Sequence, residues 1–371
     1  MKLPKRKTQK MSKILYAAST ASHIKAFHTS YIDALRSEGH TVMTMAAGEG
    51  VDFNIPFEKK LLTRGNGKCR KEIRAILEKE CFDIIILNTS LAAFHIRLAT
   101  ASNARPRIVN IVHGYLFPEF AKGIKGGLRK LLLLSAERIL SSKTDAIIVM
   151  NNEDMRIASV EKLTRGEVYF TRGMGVPTPV FKSEPGDMRR LTGCEEKFVM
   201  CFAGELSTRK NQSFLLLALA EIKKSISNAH LWLLGDGSYK DELIALAKEL
   251  NVYDNVSFLG NRNDAIDFMR DADVYVSPSR SEGLPFNVVE ALGCGATVVA
   301  TAIKGHTDIL NSGCGFLVEM DDIEELTKTV AEIAAGKLSV TKESISEGFK
   351  AFCYDEVFEE TYGIIKEACE L

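Results

Sequence analysis

Two carboxylates eight residues apart, Glu282 and Glu290, stand in the segment Ser279-Arg280-Ser281-Glu282-Gly283-Leu284-Pro285-Phe286-Asn287-Val288-Val289-Glu290-Ala291. The segment follows a strand-like run and opens a helix-like one. The spacing predicts Glu282 in the loop and Glu290 about two turns into the helix, so both can face one ligand from different heights. Between them, Gly283, Leu284 and Phe286 offer backbone N–H groups at a helix start, where unpaired donors and the helix dipole favour a phosphate. Pro285 has no N–H to give and suits a first helical turn. A single glutamate here reads as a solvated residue on a capped helix, but the whole segment does not.

A second cluster is Arg209-Lys210, in Gly204-Glu205-Leu206-Ser207-Thr208-Arg209-Lys210-Asn211. The bland reading is a solvated pair at a helix start. Positive charge is badly placed there against the helix dipole, which points to a bound anion. That favours an anion-binding Lys210 and leaves Arg209 evenly balanced between the two readings. His113 ends a strand-like run just before Gly114, where doubly wound folds place ligands. His23 and His28 fall in the first strand-to-helix connection, with acceptor contact and a capping or packing role as the alternatives. In Lys304-Gly305-His306-Thr307-Asp308, Lys304 and His306 read equally as ligand contacts or as an ordinary surface turn.

Eight cysteines are scattered without a C-x-x-C pair and read as reduced packing residues. The hydrophobic content of 46% over 371 residues supports proper cores and two domains. No apolar run approaches membrane-spanning length. Residues 1–10 carry five basic side chains with no apolar run behind them. They read as a disordered tail, or Met11 as the true start, and not as a secretory signal. The zero net charge hides a split, because residues 1–180 hold 29 Lys+Arg against 16 Asp+Glu and the remainder is correspondingly acidic. Basic residues without interleaved aromatics exclude a recognisable nucleic-acid reader and fit the anionic inner face of a membrane or a lipid-linked phosphate. Two basic groups stand out: Lys59, Lys60, Arg64, Lys68, Arg70, Lys71 and Arg74, and then Lys122, Lys125, Arg129 and Lys130. The second precedes Leu131-Leu132-Leu133-Leu134, which taken alone read as part of a core helix.

The elements that must position these residues alternate along the chain. Short, continuous apolar runs at Ile14–Ala18, Thr41–Met45, Asp83–Leu87, Arg107–Val112 and Asp145–Met150 predict parallel strands buried on both faces. Helical spacing covers Ala26–Ser37. After the Pro- and Gly-rich stretch 175–187 the alternation restarts with strands at Phe198–Ala203, His230–Leu234, Val256–Leu259, Val274–Ser277 and Thr297–Ala300. This predicts an α/β chain of two doubly wound domains, 1–180 and 181–350, with a terminal stretch 351–371. Ligands would sit beyond the carboxyl ends of the strands, in a central cleft that the two domains face and close.

The spacing from Glu282 to Glu290 resembles the E-x7-E motif of the retaining, family 4 nucleotide-sugar glycosyltransferases, whose GT-B fold has two Rossmann-like domains. Gly204–Asn211 resembles that family's phosphate-binding stretch, Leu233-Leu234-Gly235-Asp236-Gly237 its next glycine turn, and Phe258-Leu259-Gly260-Asn261-Arg262 the loop that meets the base. Gly313–Val318 resembles its late strand. In the first half, His23-x-Lys25-Ala26-Phe27-His28, Val112–Phe117 and Asn151–Asp154 resemble the exopolysaccharide and capsule branch. The resemblance implies an acceptor domain, then a donor domain, then a C-terminal helix packing back towards the first. It implies catalytic roles for Glu282, His113 and Lys210. It implies donor binding by Gly204, Arg209, Lys210, Gly235, Arg262, Glu282, Gly283, Leu284, Pro285, Phe286 and Glu290, with His23 and His28 on the acceptor side. Glu290 would take the ribose hydroxyls, Glu282 the donor hexose and Lys210 the diphosphate.

That resemblance implies a metal-independent enzyme without a cofactor. It would move a hexose or N-acetylhexosamine from a nucleotide-sugar, expected to be a UDP-sugar, to a lipid-linked or saccharide acceptor in the cytoplasm or peripherally on the inner membrane face. Glu205 departs from the family, which often has an arginine there, and Arg209 is the available substitute. A nucleotide-sugar epimerase of the same architecture and a non-catalytic sugar-nucleotide-binding subunit are the competing readings. An oxidoreductase is disfavoured because Ala17–Ser22 lacks G-x-G-x-x-G.

Overall fold

A computed structural model of the chain describes residues 11–58, 61–101, 105–115 and 124–371. The tail 1–10 and Lys59, Lys60, Leu116, Phe117 and Lys122 lie outside the described residues, as do the side chains of Lys125 and Arg129. Two units result. The first runs to Met174 and takes in Phe358–Leu371, and the second is Gly175–Val357. The first boundary falls at 174/175 where 180/181 was expected. Val176 already belongs to the second unit, bridging to Cys353. The return to the first unit falls within the last helix, at 357/358 where 350/351 was expected.

The first unit is built from β1 (Lys13–Thr20), α1 (Ala21–Phe27), α2 (Thr29–Ser37), β2 (Thr41–Ala47), β3 (Phe53–Asn54), α3 (Arg64–Glu80) and β4 (Ile84–Asn88). It continues through α4 (Ser90–Ala99), β5 (Arg107–Val112), α5 (Ile124–Ser141), β6 (Ala146–Val149), α6 (Asn152–Val160) and β7 (Glu167–Phe170). The strands form one parallel sheet in the order β3-β2-β1-β4-β5-β6-β7, which reverses direction of growth between β1 and β4. β4 is buried along its whole length, as its Ile-Ile-Ile-Leu run requires. The helix expected over Ala26–Ser37 is two helices that meet at His28, a fully buried residue. Arg97, also fully buried, makes a bidentate pair with Glu137 at 2.8 and 2.9 Å and so fixes α5 against α4.

The second unit contains α7 (Asp187–Thr192), β8 (Phe198–Ala203), α8 (Gln212–Ile222), β9 (Ala229–Leu234), α9 (Lys240–Glu249), β10 (Val256–Gly260), α10 (Ala265–Asp271) and β11 (Val274–Ser277). After these come α11 (Phe286–Gly293), β12 (Val298–Thr301), α12 (His306–Leu310), β13 (Phe316–Val318), α13 (Ile323–Ala334) and α14 (Lys342–Lys350). The last helix, α15 (Tyr354–Cys369), starts here and ends in the first unit. There Thr361 bonds Thr171 at 2.5 Å and Lys366 pairs with Glu38 at 2.9 Å. The sheet order is β10-β9-β8-β11-β12-β13, all parallel, with its reversal between β8 and β11. Its core is Phe202, Leu215, Leu219, Leu231, Leu233, Val276 and Val299, each almost completely buried. Each side chain of this size contributes roughly 1.5–3 kcal/mol by leaving water. Among the described residues no helix is long and apolar enough to cross a membrane.

Candidate active site

In the second unit the sheet reverses where β8 and β11 run out side by side, which is where doubly wound sheets bind ligands. Gly204 follows β8 and donates its N–H to Leu234 O at 2.9 Å, while Gly235 follows β9 and donates to Gly260 O at 2.7 Å. Gly235 has φ +123°, and a Cβ there would lie 2.0 Å from the carbonyl oxygen of Gly204. Only glycine lets these two turns stack, and the stacking aims the chain after β8 at the mouth of the sheet.

That chain is then fastened down. Gln212 Nε2 donates to Glu205 O at 2.8 Å, and Arg280 N donates to Arg209 O at 2.8 Å. Asn211 takes the left-handed φ of +57° at the N-cap of α8 and sends its amide to Pro278 O at 3.2 Å. Arg280 forms a bidentate pair with Asp321 at 2.6 and 2.7 Å and reaches Asn211 Oδ1 at 3.0 Å. On the other side, Asn287 in the first turn of α11 donates to Ala203 O at 2.9 Å and bonds the Tyr275 hydroxyl at 2.8 Å.

The result is a buried ionic triplet. Glu282 is nearly inaccessible, with Lys210 Nζ 2.7 Å from Oε1 and Arg209 Nη1 3.1 Å from Oε2. Arg209 also donates to Ser281 O at 3.0 Å. Oε1 accepts no hydrogen bond of good geometry, so the close Lys210 contact is ionic. Burial pushes the Glu282 carboxyl up, but Lys210 and then Arg209 outweigh it and hold it below the ordinary glutamate value. The triplet therefore carries one net positive charge at neutral pH. Glu290 is different, because burial alone acts on it and raises its pKa.

Lys210, Arg209, Glu282 and the Gly204 and Gly235 turns are thus brought together. Gly283, Leu284 and Pro285 form the lead-in to α11, and Phe286 is its first residue. Glu290 lies four residues after Phe286, one turn into the helix and not two, because the helix begins only at Phe286. Arg262 is held by Asp264 at 2.6 and 2.7 Å and stacks over Phe268 at 4.8 Å. The 304–308 segment is not an ordinary surface turn. Lys304 is buried, and His306 is completely so, with Nε2 3.0 Å from Ser277 Oγ and Nδ1 2.8 Å from Thr301 O. Asn287 and Arg280 lay inside the motif without being singled out. Asn287 precedes Glu290 by three residues on the same helix face, a signal that was available. Asp321 gave none.

His306 carries a pH prediction. Burial lowers its pKa from 6.5 to about 4, against smaller raising effects from Glu282 and Thr301. The unfolded chain therefore binds a proton that the folded chain refuses between those values, and stability falls as pH drops through that window. The loss amounts to about 3 kcal/mol at most from this residue. Thermal midpoints measured from pH 7 to pH 4 are expected to fall, and to fall less steeply in His306→Gln. Parallel curves for the two proteins would exclude this account.

In the first unit three histidines converge. His23 on α1, His28 between α1 and α2, and His113 after β5 place one nitrogen each within 4.8 Å of one another. Burial lowers the pKa of all three, to about 4 for His23. A hollow of about 400 Å³ near Cys81, Asp83 and Arg105 lies at the amino ends of β4 and β5, the wrong end of the sheet for a ligand site.

Residues 187–348 match the family Glycosyl transferases group 1. The chain is 29% identical over 337 residues to the putative glycosyltransferase EpsD of Bacillus subtilis, covering 86% of this chain and 87% of that one. It is 26% identical to the UDP-Gal:alpha-D-GlcNAc-diphosphoundecaprenol alpha-1,3-galactosyltransferase of Escherichia coli, covering 71% of this chain and 69% of that one. In structure it is similar to sucrose-phosphate synthase of Thermosynechococcus elongatus, with a TM-score of 0.80 at 17% identity over 96% of this chain and 98% of that chain.

Proposed function

We propose that the chain, whose residues 187–348 match Glycosyl transferases group 1, is a glycosyltransferase of GT-B fold that moves a hexose or N-acetylhexosamine from a UDP-sugar, with retention of configuration, to a lipid-linked or saccharide acceptor in surface polysaccharide biosynthesis. The observation that carries this is the triplet of Glu282, Lys210 and Arg209 at the mouth of the second sheet. As the bond between the sugar carbon and the diphosphate breaks, its electron pair goes to the phosphate oxygen. Lys210 and Arg209 stabilise that charge, the task a metal ion performs elsewhere, so the reaction needs no metal. The acceptor hydroxyl attacks on the same face of the sugar and passes its proton to the departing phosphate oxygen. Glu290 is assigned to the ribose hydroxyls and His113 to the donor sugar. The E. coli relative's donor and acceptor, a UDP-sugar and a sugar on a lipid diphosphate, support the substrate classes. Purified protein is expected to release UDP from a UDP-sugar only when a lipid-diphosphate sugar acceptor is supplied. Release without acceptor, or sugar isomerisation without release, would overturn the reading in favour of an epimerase or a binding subunit.

The same proposal includes docking of the first unit on an anionic bilayer at the cytoplasmic face. Leu128, Leu131, Leu132 and Ile139 on α5 are 57%, 57%, 63% and 72% exposed. Their spacing puts them on one face of the helix. The leucine run was expected in the core, but only Leu133 and Leu134 pack there. Vesicles containing anionic lipid are expected to sediment the protein at low salt, with at least tenfold weaker binding by the Leu131→Asp, Leu132→Asp double variant. Absence of wild-type binding at low salt would end this part of the proposal.

A further inference from the structure

The three histidines of the first unit do not behave as separate packing residues. His28 Nε2 lies 3.3 Å from His23 Nε2, long for a hydrogen bond between two rings. Two nitrogens bound to one tetrahedral ion at the usual zinc–nitrogen length lie about 3.3 Å apart. The ring centroids of His23 and His113 are 4.6 Å apart, those of His28 and His113 5.1 Å, and those of His23 and His28 5.2 Å. Imidazoles sharing one tetrahedral ion through a ring nitrogen have centroids about 5 Å apart. His113 Nε2 is buried and has no hydrogen-bond partner among the described residues. On the far side of His28, Nδ1 lies 2.9 Å from the hydroxyl of the fully buried Tyr16. A proton on Nδ1 donated to Tyr16 Oη leaves the Nε2 lone pair facing the other two rings, the arrangement that orients a ligating histidine.

From this geometry we propose that His23, His28 and His113 form a site for one divalent cation of the zinc class, with a fourth position open to water. Imidazole nitrogens select zinc and its neighbours over magnesium or calcium, which prefer oxygen. No Asp or Glu joins the group among the described residues. His23 is partly exposed, which gives the ion a way in. The site belongs to the first unit, and Lys210 and Arg209 belong to the second.

The test uses the full chain, stripped with a chelator and titrated with Zn2+ and with Co2+ alone at pH 7. One equivalent of Zn2+ per chain is expected, and Co2+ is expected to give the visible d–d bands of tetrahedral nitrogen coordination. The eight free cysteines are the competing ligands, and a sulfur-to-cobalt charge-transfer band would assign the ion to them and overturn the proposal. His28→Gln and His23→Gln are each expected to weaken Zn2+ binding at least tenfold. His28 is wholly buried, so His23→Gln, at a half-exposed helix position, decides the matter if His28→Gln does not fold. Substoichiometric binding by the wild type, or unchanged affinity in a folded His23→Gln, would also overturn it.

Discussion

Lys210→Ala is expected to lower kcat by about a thousand-fold while leaving the fold intact. Lys210 Nζ sits against Glu282 in a nearly closed site, so its charge is worth more there than it would be in water. The substrate diphosphate is already anionic before the bond breaks, and part of the lysine's effect is therefore ordinary binding. The larger part comes with the extra charge that develops on the leaving oxygen, so kcat should fall further than KM rises. Arg209 cannot replace the lysine. Its guanidinium is committed to Ser281 O and to the opposite oxygen of Glu282. Removing the lysine leaves the buried Glu282 carboxylate with Arg209 as its remaining ion-pair partner, so the unfolding midpoint should fall while the fold is retained. Steady-state kinetics with the donor, beside a melting curve, would settle it. A variant within threefold of the wild-type kcat would remove Lys210 from the mechanism.

How far the site could be read in advance depended on whether the relevant chemistry was local in sequence. The strands Arg107–Val112, Phe198–Ala203 and Val274–Ser277 were legible to the residue, because a parallel strand buried on both faces must be apolar throughout. β7, Glu167–Phe170, was not foreseen. It lies at the edge of its sheet, half-exposed, and carries a mixed Glu-Val-Tyr-Phe run. Lys210 was legible as an anion-binding residue at a helix start and Glu282 as a ligand-facing carboxylate in the loop before another helix, but nothing local says that they meet. Their meeting follows from the crossover that puts β11 next to β8. His306 stayed open between a ligand contact and a surface turn for the same reason. Nothing near it in sequence shows that the sheet delivers Ser277 and Thr301 to its two nitrogens. His23 and His28 were noticed as a pair and His113 apart from them, and only the adjacency of β1, β4 and β5 makes the three a cluster.

Glu282→Gln tests the other half of the triplet and is expected to separate binding from catalysis. The substitution keeps the shape of the side chain and removes its charge, so the net charge of the triplet rises from one to two. UDP, an anion, should then bind as well as before or severalfold more tightly. Turnover should nevertheless fall by about a hundredfold or more. The reason is that a carboxylate beside a diphosphate repels it in the ground state, so it is of use only if something it stabilises appears later. In this reaction that is the positive charge spreading over the sugar as the leaving group departs, together with the hexose hydroxyls it holds in place. Glu282→Ala would blur the result, because it leaves Lys210 in a buried space without its partner and risks a shift of the lysine itself. Isothermal titration with UDP and steady-state kinetics on Glu282→Gln give the two numbers needed. Weaker UDP binding with unchanged kcat would mean that Glu282 merely positions Lys210 for the diphosphate, and its assignment to the donor sugar would have to be given up.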